Sequence, residues 1–330
     1  MLFDKFSTAS SELHTLLGFI AADTNFSKWR TWIDLSVRQI TAITGKELYT
    51  LAHDHYQSDN YLSEEPTEAV TPTYKQLDTL VKHFQLANAL FAYVKLLPSL
   101  DAGHSNNGRT RSVGDTERSL TAVEAYKDEA NILSLAYEAM EALIDFAEET
   151  KFTAWLTSTN RKFASGLFVS SPEIFNRYYT LSSARMYYTV TPMMAEVERI
   201  HIRTCVSPAI LTEINMALAA TTPTDRQKLL VEKVENTIRP VIVFSTLAMA
   251  LERLPIEIFP DGIFQTQIVG TVKEKQAATD QTRQALIASF SNQADSYLSM
   301  LQDDAQLLSG TPPADIYVKV PKEIPNGFRF

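Results

Sequence analysis

Residues 117–149 read ERSLTAVEAYKDEANILSLAYEAMEALIDFAEE, with no Pro and no Gly. Apolar side chains fall at Leu120, Val123, Tyr126, Ala130, Leu133, Tyr137, Met140, Leu143 or Ile144, and Ala147. The steps between them are threes and fours, the helical period. At ~1.5 Å per residue the stretch makes a rod of roughly 50 Å. Globular helices average only ~11–12 residues. This one is either a long core helix of an α-domain or a strut used in assembly.

Working outward, the rest of the chain is helical punctuation. Ser10 or Ser11 caps a short helix carrying Leu13, Leu16 and Leu17. Phe19 to Ala22 reads as extended. Ser27 is a candidate N-cap for a helix with Trp29, Trp32, Ile33, Val37, Ile40 and Ile43 near one face, ended by Gly45. Lys46 to His55 is a second, short helix, and residues 58–72 are a surface loop. A strong helix runs from Thr73 to Leu97, stopped by Pro98. Asn106-Asn107-Gly108 then carries a hairpin-turn signature. After Thr150 come Phe152, Trp155, Phe163, Phe168, Phe175, Tyr178, Tyr179, Tyr187 and Tyr188. That series reads as core joining two halves or as a subunit interface. Ser171-Pro172 and Ser182 or Ser183 open helices, and Pro192 kinks or restarts one. Ile210, Leu211 and Ile214 follow Ser207-Pro208 in a short helix. A long helix spans Asp225 to Leu254, bent at Pro240 and stopped by Pro255. Pro260-Asp261-Gly262 is a second hairpin signature, Gln276 to Gln306 a second long helix, and the Pro-bearing tail is extended.

The two halves repeat each other at a separation of roughly 160 residues. Ile40, Ile43, Gly45, Leu48 and Tyr49 match Ile202, Cys205, Ser207, Ile210 and Leu211. Leu77, Val81, Phe84, Leu90, Val94, Leu97 and Pro98 match Val234, Ile238, Val241, Leu247, Leu251, Leu254 and Pro255. Asn107-Gly108 matches Asp261-Gly262, and Tyr137 and Met140 match Tyr297 and Met300. The predicted fold is mainly α, a tandem duplication of a helical bundle. Each bundle carries a small β-hairpin and a very long helix. Residues 1–150 form the first repeat with the N-terminal segment, 151–189 the aromatic-rich join, 190–306 the second repeat and 307–330 an extended C-terminal arm.

Composition bounds the function. The 330 residues, 45% hydrophobic and 21% charged, suit a soluble globular protein with a sizeable core. A net charge of −9 argues against a dedicated nucleic-acid binder, which needs basic clusters to displace counterions. An acidic wall, however, lets a duplex slide past. The single Cys205 rules out an intrachain disulfide, points to a reducing compartment, and reads as a small buried hydrophobe. The start, Met1-Leu2-Phe3-Asp4-Lys5, predicts no secretory signal, and no uncharged apolar run predicts a membrane span.

No pattern of catalytic or ligand-binding residues emerges, and no cofactor or metal is expected. His53-Asp54-His55 invites a metal reading. Two His at i, i+2 on a helix point to different faces, so a solvated helix end fits better. Glu148-Glu149 and Asp303-Asp304 oppose the dipole at the ends of their helices and weakly suggest a partner. Arg109, Arg111 and Arg118 form the one local basic cluster, beside the first hairpin. The candidate interface residues are therefore Asn107, Gly108, Arg109 and Arg111 at the first hairpin and Asp261 and Gly262 at the second. Tyr317, Val318, Phe328 and Phe330 in the arm join them, able to add as a strand or insert rings into a neighbour.

Several stretches resemble a family of proteins of about this length from tailed phages and prophages. They are Ile40-Thr41-Ala42-Ile43-Thr44-Gly45-Lys46-Glu47-Leu48-Tyr49, the polar hairpin with Asn107-Gly108 before a long helix, Phe175-Asn176-Arg177-Tyr178, and Pro192 before Glu196, Val197 and Ile200. The family is similar to a doubled α-helical head–tail connector, or neck adaptor. The resemblance implies a non-enzymatic virion protein, assembled in the host cytoplasm. It would form a homo-oligomeric ring, usually dodecameric, joining the portal protein to other neck or tail proteins. Double-stranded DNA would pass through the channel without specific binding. A tail-completion or tail-terminator ring is the nearest alternative. An α-helical metal-dependent hydrolase using His53 and His55 is the reading from another class.

Overall fold

The computed structural model describes residues 1–5, 8–20, 24–64, 70–100, 103–105, 108–110, 122–181, 183–254, 264–269, 272–277 and 280–309. The fold is mainly helical. The first half contains α1 (Ala9–Leu17), α2 (Ser27–Thr44), α3 (Lys46–Gln57), α4 (Tyr74–Leu100) and α5 (Ala122–Thr150). Strands β1 (Gly103–Ser105) and β2 (Gly108–Thr110) fall between α4 and α5. Three short helices follow, α6 (Thr153–Leu156), α7 (Thr159–Ser165) and α8 (Pro172–Asn176), and then the longer α9 (Ala184–Val197). A π-helical turn at Glu198–Ile202 continues α9 into α10 (Arg203–Cys205). The second half has α11 (Pro208–Ala219) and α12 (Asp225–Lys233), with a second π-helical turn at Val234–Ile238 leading into α13 (Arg239–Arg253). It closes with β3 (Phe264–Val269), β4 (Val272–Ala277) and α14 (Asp280–Ser309).

Apolar periodicity decides the packing. α4 turns Leu77, Leu80, Val81, Phe84, Ala87, Leu90 and Phe91 inward, and α1, α2, α3 and α5 pack around it. α13 buries Val241, Ile242, Val243, Leu247 and Leu251 against α9 and α14. α9 also touches α5, so it is the element that joins the two helical layers. Residues Asp225–Arg253 are long and apolar enough to cross a membrane, but 78% of that apolar window is buried, as in a core helix.

The aromatic stretch after Thr150 is largely core. Phe152, Trp155, Phe175, Tyr187 and Tyr188 are buried, and Trp155 meets Tyr188 edge-on with ring centroids 5.3 Å apart. Polar ties hold the join. Ser183 caps α9 by accepting from the Met186 N–H, and its hydroxyl donates to Glu141 of α5 at 2.5 Å. Arg161 Nε lies 2.8 Å from Glu148, which also accepts from the Tyr188 hydroxyl.

Several expected boundaries move, each for a physical reason. α2 starts at Ser27 itself, with Asn25 Oδ1 taking the Ser27 N–H at 2.9 Å, so Asn25 does the work expected of Ser27. α4 runs through Pro98 to Leu100. Pro98 removes only the bond its N–H would give to Val94. α9 passes through Pro192 unbroken because the Tyr188 carbonyl, which loses its partner, accepts from the Thr191 hydroxyl at 2.9 Å. At Pro240 the chain adopts a π-helical turn first. The Glu235 carbonyl, five residues back, then lies 2.8 Å from the Tyr178 hydroxyl. α14 begins at Asp280, not Gln276, because Gln276 lies in β4 and pairs with Gln265.

β1 pairs antiparallel with β2 in the register Ser105↔Gly108, so Gly108 lies in a strand. β3 pairs antiparallel with β4 in the register Val269↔Val272. The turn expected at Asp261-Gly262 lies outside the described residues. Cys205 is half-buried, not fully buried.

Candidate functional site

Of the residues expected at an interface, two lie in the described strands. Gly108 and Arg109 are in β2, Arg109 opposite His104. Asn107, Arg111, Asp261, Gly262, Tyr317, Val318, Phe328 and Phe330 lie outside the described residues, as does Arg118. The His53-Asp54-His55 run is split by its helix. His55 is buried, and its Nε2 lies 2.8 Å from Asp78 Oδ1, while His53 Nδ1 lies 3.3 Å from Asp54. His55 is thus a structural tie and not the solvated helix end expected. Among the described residues no group of three His, Cys, Asp or Glu is placed to hold a metal ion. The acidic helix ends are engaged within the chain. Glu148 is held by Arg161 and Tyr188, and Asp304 by Lys233 Nζ at 2.7 Å and Thr237 Oγ1 at 3.3 Å.

Two surfaces stand out. The first is the tip of the α4–α5 pair, next to β1 and β2. The first turns of α5, Glu124 to Asn131, are largely exposed, and Tyr126 is 73% exposed. Leu100 at the end of α4 is exposed too.

The second is a cavity of about 700 Å³ between residues 165–170, the π-helical turn after α9 and α11. Glu198 enters it from the π-helical turn and is only 5% exposed. Its Oε1 accepts from the Phe168 N–H at 2.7 Å. Burial pushes its carboxyl up to about 7, against the lowering effects of the Phe168 N–H and of Arg203. Arg239 lines the same cavity. Its Nε donates to the Phe168 carbonyl at 2.9 Å, and its Nη1 is paired with Glu235. Against the upward push of burial, bonds from Tyr178 and Arg239 hold the Glu235 carboxyl below its ordinary range. Phe168 is therefore fixed at both its backbone groups by opposite charges, which sets the wall of the cavity.

Sequence reading missed Glu198. The signal was there: Met194, Val197, Glu198 and Ile202 fall at helical spacing, and all four are buried. A carboxylate on an apolar face costs free energy unless something pairs with it. The geometry offers a recess with a buried carboxyl, exposed Arg203 and walls of mixed apolar and polar side chains. No curated protein and no solved structure matches the chain. One family model covers residues 40–165 and 209–303, most of both helical layers, and the chain belongs to that family of unknown function (DUF6712).

Proposed function

We propose that the chain is a tandem duplicate of one helical unit. We further propose that it acts as the subunit of a structural ring, a head–tail connector that joins a portal to a tail around passing DNA. The duplication is supported by element order. The run α2, α3, α4, β1–β2, α5 is paralleled by α9–α10, α11, α12–α13, β3–β4, α14. Burial follows it: Ile40, Leu48, Val81, Phe84 and Leu90 are buried, as are their counterparts Ile202, Ile210, Ile238, Val241 and Leu247. The two matched segments of the family model also cover equivalent elements.

The last helix needs a one-residue adjustment. Met140 is buried whereas Met300 is 51% exposed, so the equivalent of Met140 is Leu301. With that shift, Leu143 and Ile144 fall on Asp304 and Ala305, all buried.

The observation that carries the assembly reading is the exposed tip of α4–α5. The first turns of α5 carry an exposed aromatic ring, Tyr126. Between subunits such a projection is contact surface. The acidic balance suits a wall that does not retain DNA. Native mass spectrometry of the full chain, with and without an assembled portal ring, tests this. Integer multiples of 37.0 kDa, with one dominant order near twelve, are expected. A chain that remains monomeric in both conditions overturns it.

A further inference from the structure

The recess beside Glu198 plays no part in the ring reading, and its charges say what it can hold. Arg239, on one wall, is matched by Glu235, so the pair adds no net charge. Arg203 is exposed and makes no hydrogen bond or ion pair among the described residues. Its cation is near enough to Glu198 to lower that carboxyl, against the larger upward push of burial. Glu198 Oε1 takes the Phe168 N–H at 2.7 Å. Its Oε2 has no partner among the described residues and is open to the recess. With the carboxyl raised to about 7, Glu198 is an uncharged acid below neutrality, with its proton on Oε2. The recess then presents one unmatched cation and one unused O–H donor, both suited to a single negative charge. Leu211 and Leu218 of α11 give it an apolar side. Its volume of about 700 Å³ lies in the range of ligand pockets, ~300–1,000 Å³.

We propose that this recess binds a small organic monocarboxylate, held by the Arg203 guanidinium and the Glu198 Oε2 hydroxyl, with its apolar body along Leu211 and Leu218. A phosphate monoester brings a second negative charge that has no cation to meet. The site does not depend on the ring and is complete within one chain. Ionisation of Glu198 removes the donor and cancels the charge of Arg203, so binding weakens as pH rises. The other groups around Glu198 hold their states near neutrality. Tyr187 of α9 keeps its proton, because burial pushes its phenol far up, and Glu235 behind Arg239 is held below its ordinary range. His201, in the same π-helical turn, lines a separate recess with Ser245 and Leu298.

Protein-observed NMR of the full chain tests this, with the Phe168 N–H as local reporter. The probes are 4-phenylbutanoate, its neutral amide 4-phenylbutanamide, and the cation 4-phenylbutylamine. At pH 6 the carboxylate is expected to shift Phe168 saturably and to bind at least about tenfold tighter than either analogue. Its affinity should fall about tenfold by pH 8, as the acid form of Glu198 drops from about nine-tenths to about one-tenth. Arg203→Ala, at an exposed position, should weaken binding about tenfold at pH 6. Glu198→Gln keeps an acceptor for Phe168 and a donor for the ligand, so its affinity should be the same at both pH values. No saturable shift, or an amide or amine that binds as tightly as the carboxylate, overturns the proposal. So does an unchanged affinity in Arg203→Ala, or in the native chain between pH 6 and pH 8. Phenyl phosphate binding more tightly than the carboxylate overturns the match to a single charge.

Discussion

At Gly45, φ is +85° and ψ 152°, a region essentially reserved for Gly. A Cβ there would also meet Ser158 Cβ at 2.8 Å. Ser207, which the proposed duplication pairs with Gly45, has φ −63° and needs no such freedom, and its hydroxyl accepts from the Ile210 N–H. On that proposal one chain reversal is solved twice, by Gly conformation and by a Ser cap. Gly45→Ala should cost about 2 kcal/mol or more in urea unfolding, and Ser207→Ala about 1 kcal/mol. Equal costs at both would contradict the assignment. Glu198 makes a pH-dependent prediction. Its folded value of about 7 lies above the ordinary 4.5, so between the two the folded protein keeps a proton that the unfolded chain has lost. Stability falls as pH rises through that window and is lowest above it, by an amount of order 3 kcal/mol. Glu198→Gln cannot ionise. Its stability relative to the native chain should therefore improve from pH 5 to pH 8, and a difference constant with pH would contradict the burial of a charged group.

At the scale of elements, the long helices were legible because threes and fours of apolar residues leave no other period. α4, α5, α13 and α14 all lie where that pattern runs. The ends were less legible because tertiary partners decide them. Nothing local to Pro192 says that the Thr191 hydroxyl will take over the orphaned Tyr188 carbonyl. Nothing local to Pro240 announces Tyr178, more than sixty residues earlier in the chain. The second hairpin signature, Asp261-Gly262, lies outside the described residues, and β3 and β4 pair later in the chain with Val269 opposite Val272. The register of α14 can be checked directly. Met140→Ala and Leu301→Ala should each cost ~2–5 kcal/mol by chemical denaturation, as buried truncations do. Met300→Ala should stay within ~0.5 kcal/mol, as exposed changes do. A large cost at Met300 with little at Leu301 would restore the register in which Met300, not Leu301, matches Met140.

At the scale of the molecule, the mainly helical fold was readable from periodicity, while the recess at Glu198 was not. It is assembled from three stretches far apart in sequence, and only the misfit of one carboxylate on an apolar face hinted at it. The aromatic series after Thr150 showed the same limit from the other side. Its density was plain, but packing made Trp155, Phe175 and Tyr187 core, with Phe163 and Tyr179 left exposed. The proposed assembly would bind two of these features into one account: an exposed helical tip as subunit contact and an acidic body suited to passing DNA. The most direct test is a reconstruction of tailed particles bearing this chain with a gold label on an introduced surface cysteine. The account predicts a ring of label at the portal vertex, between head and tail, at one radius. Label elsewhere on the particle, or none after extensive purification, would contradict it.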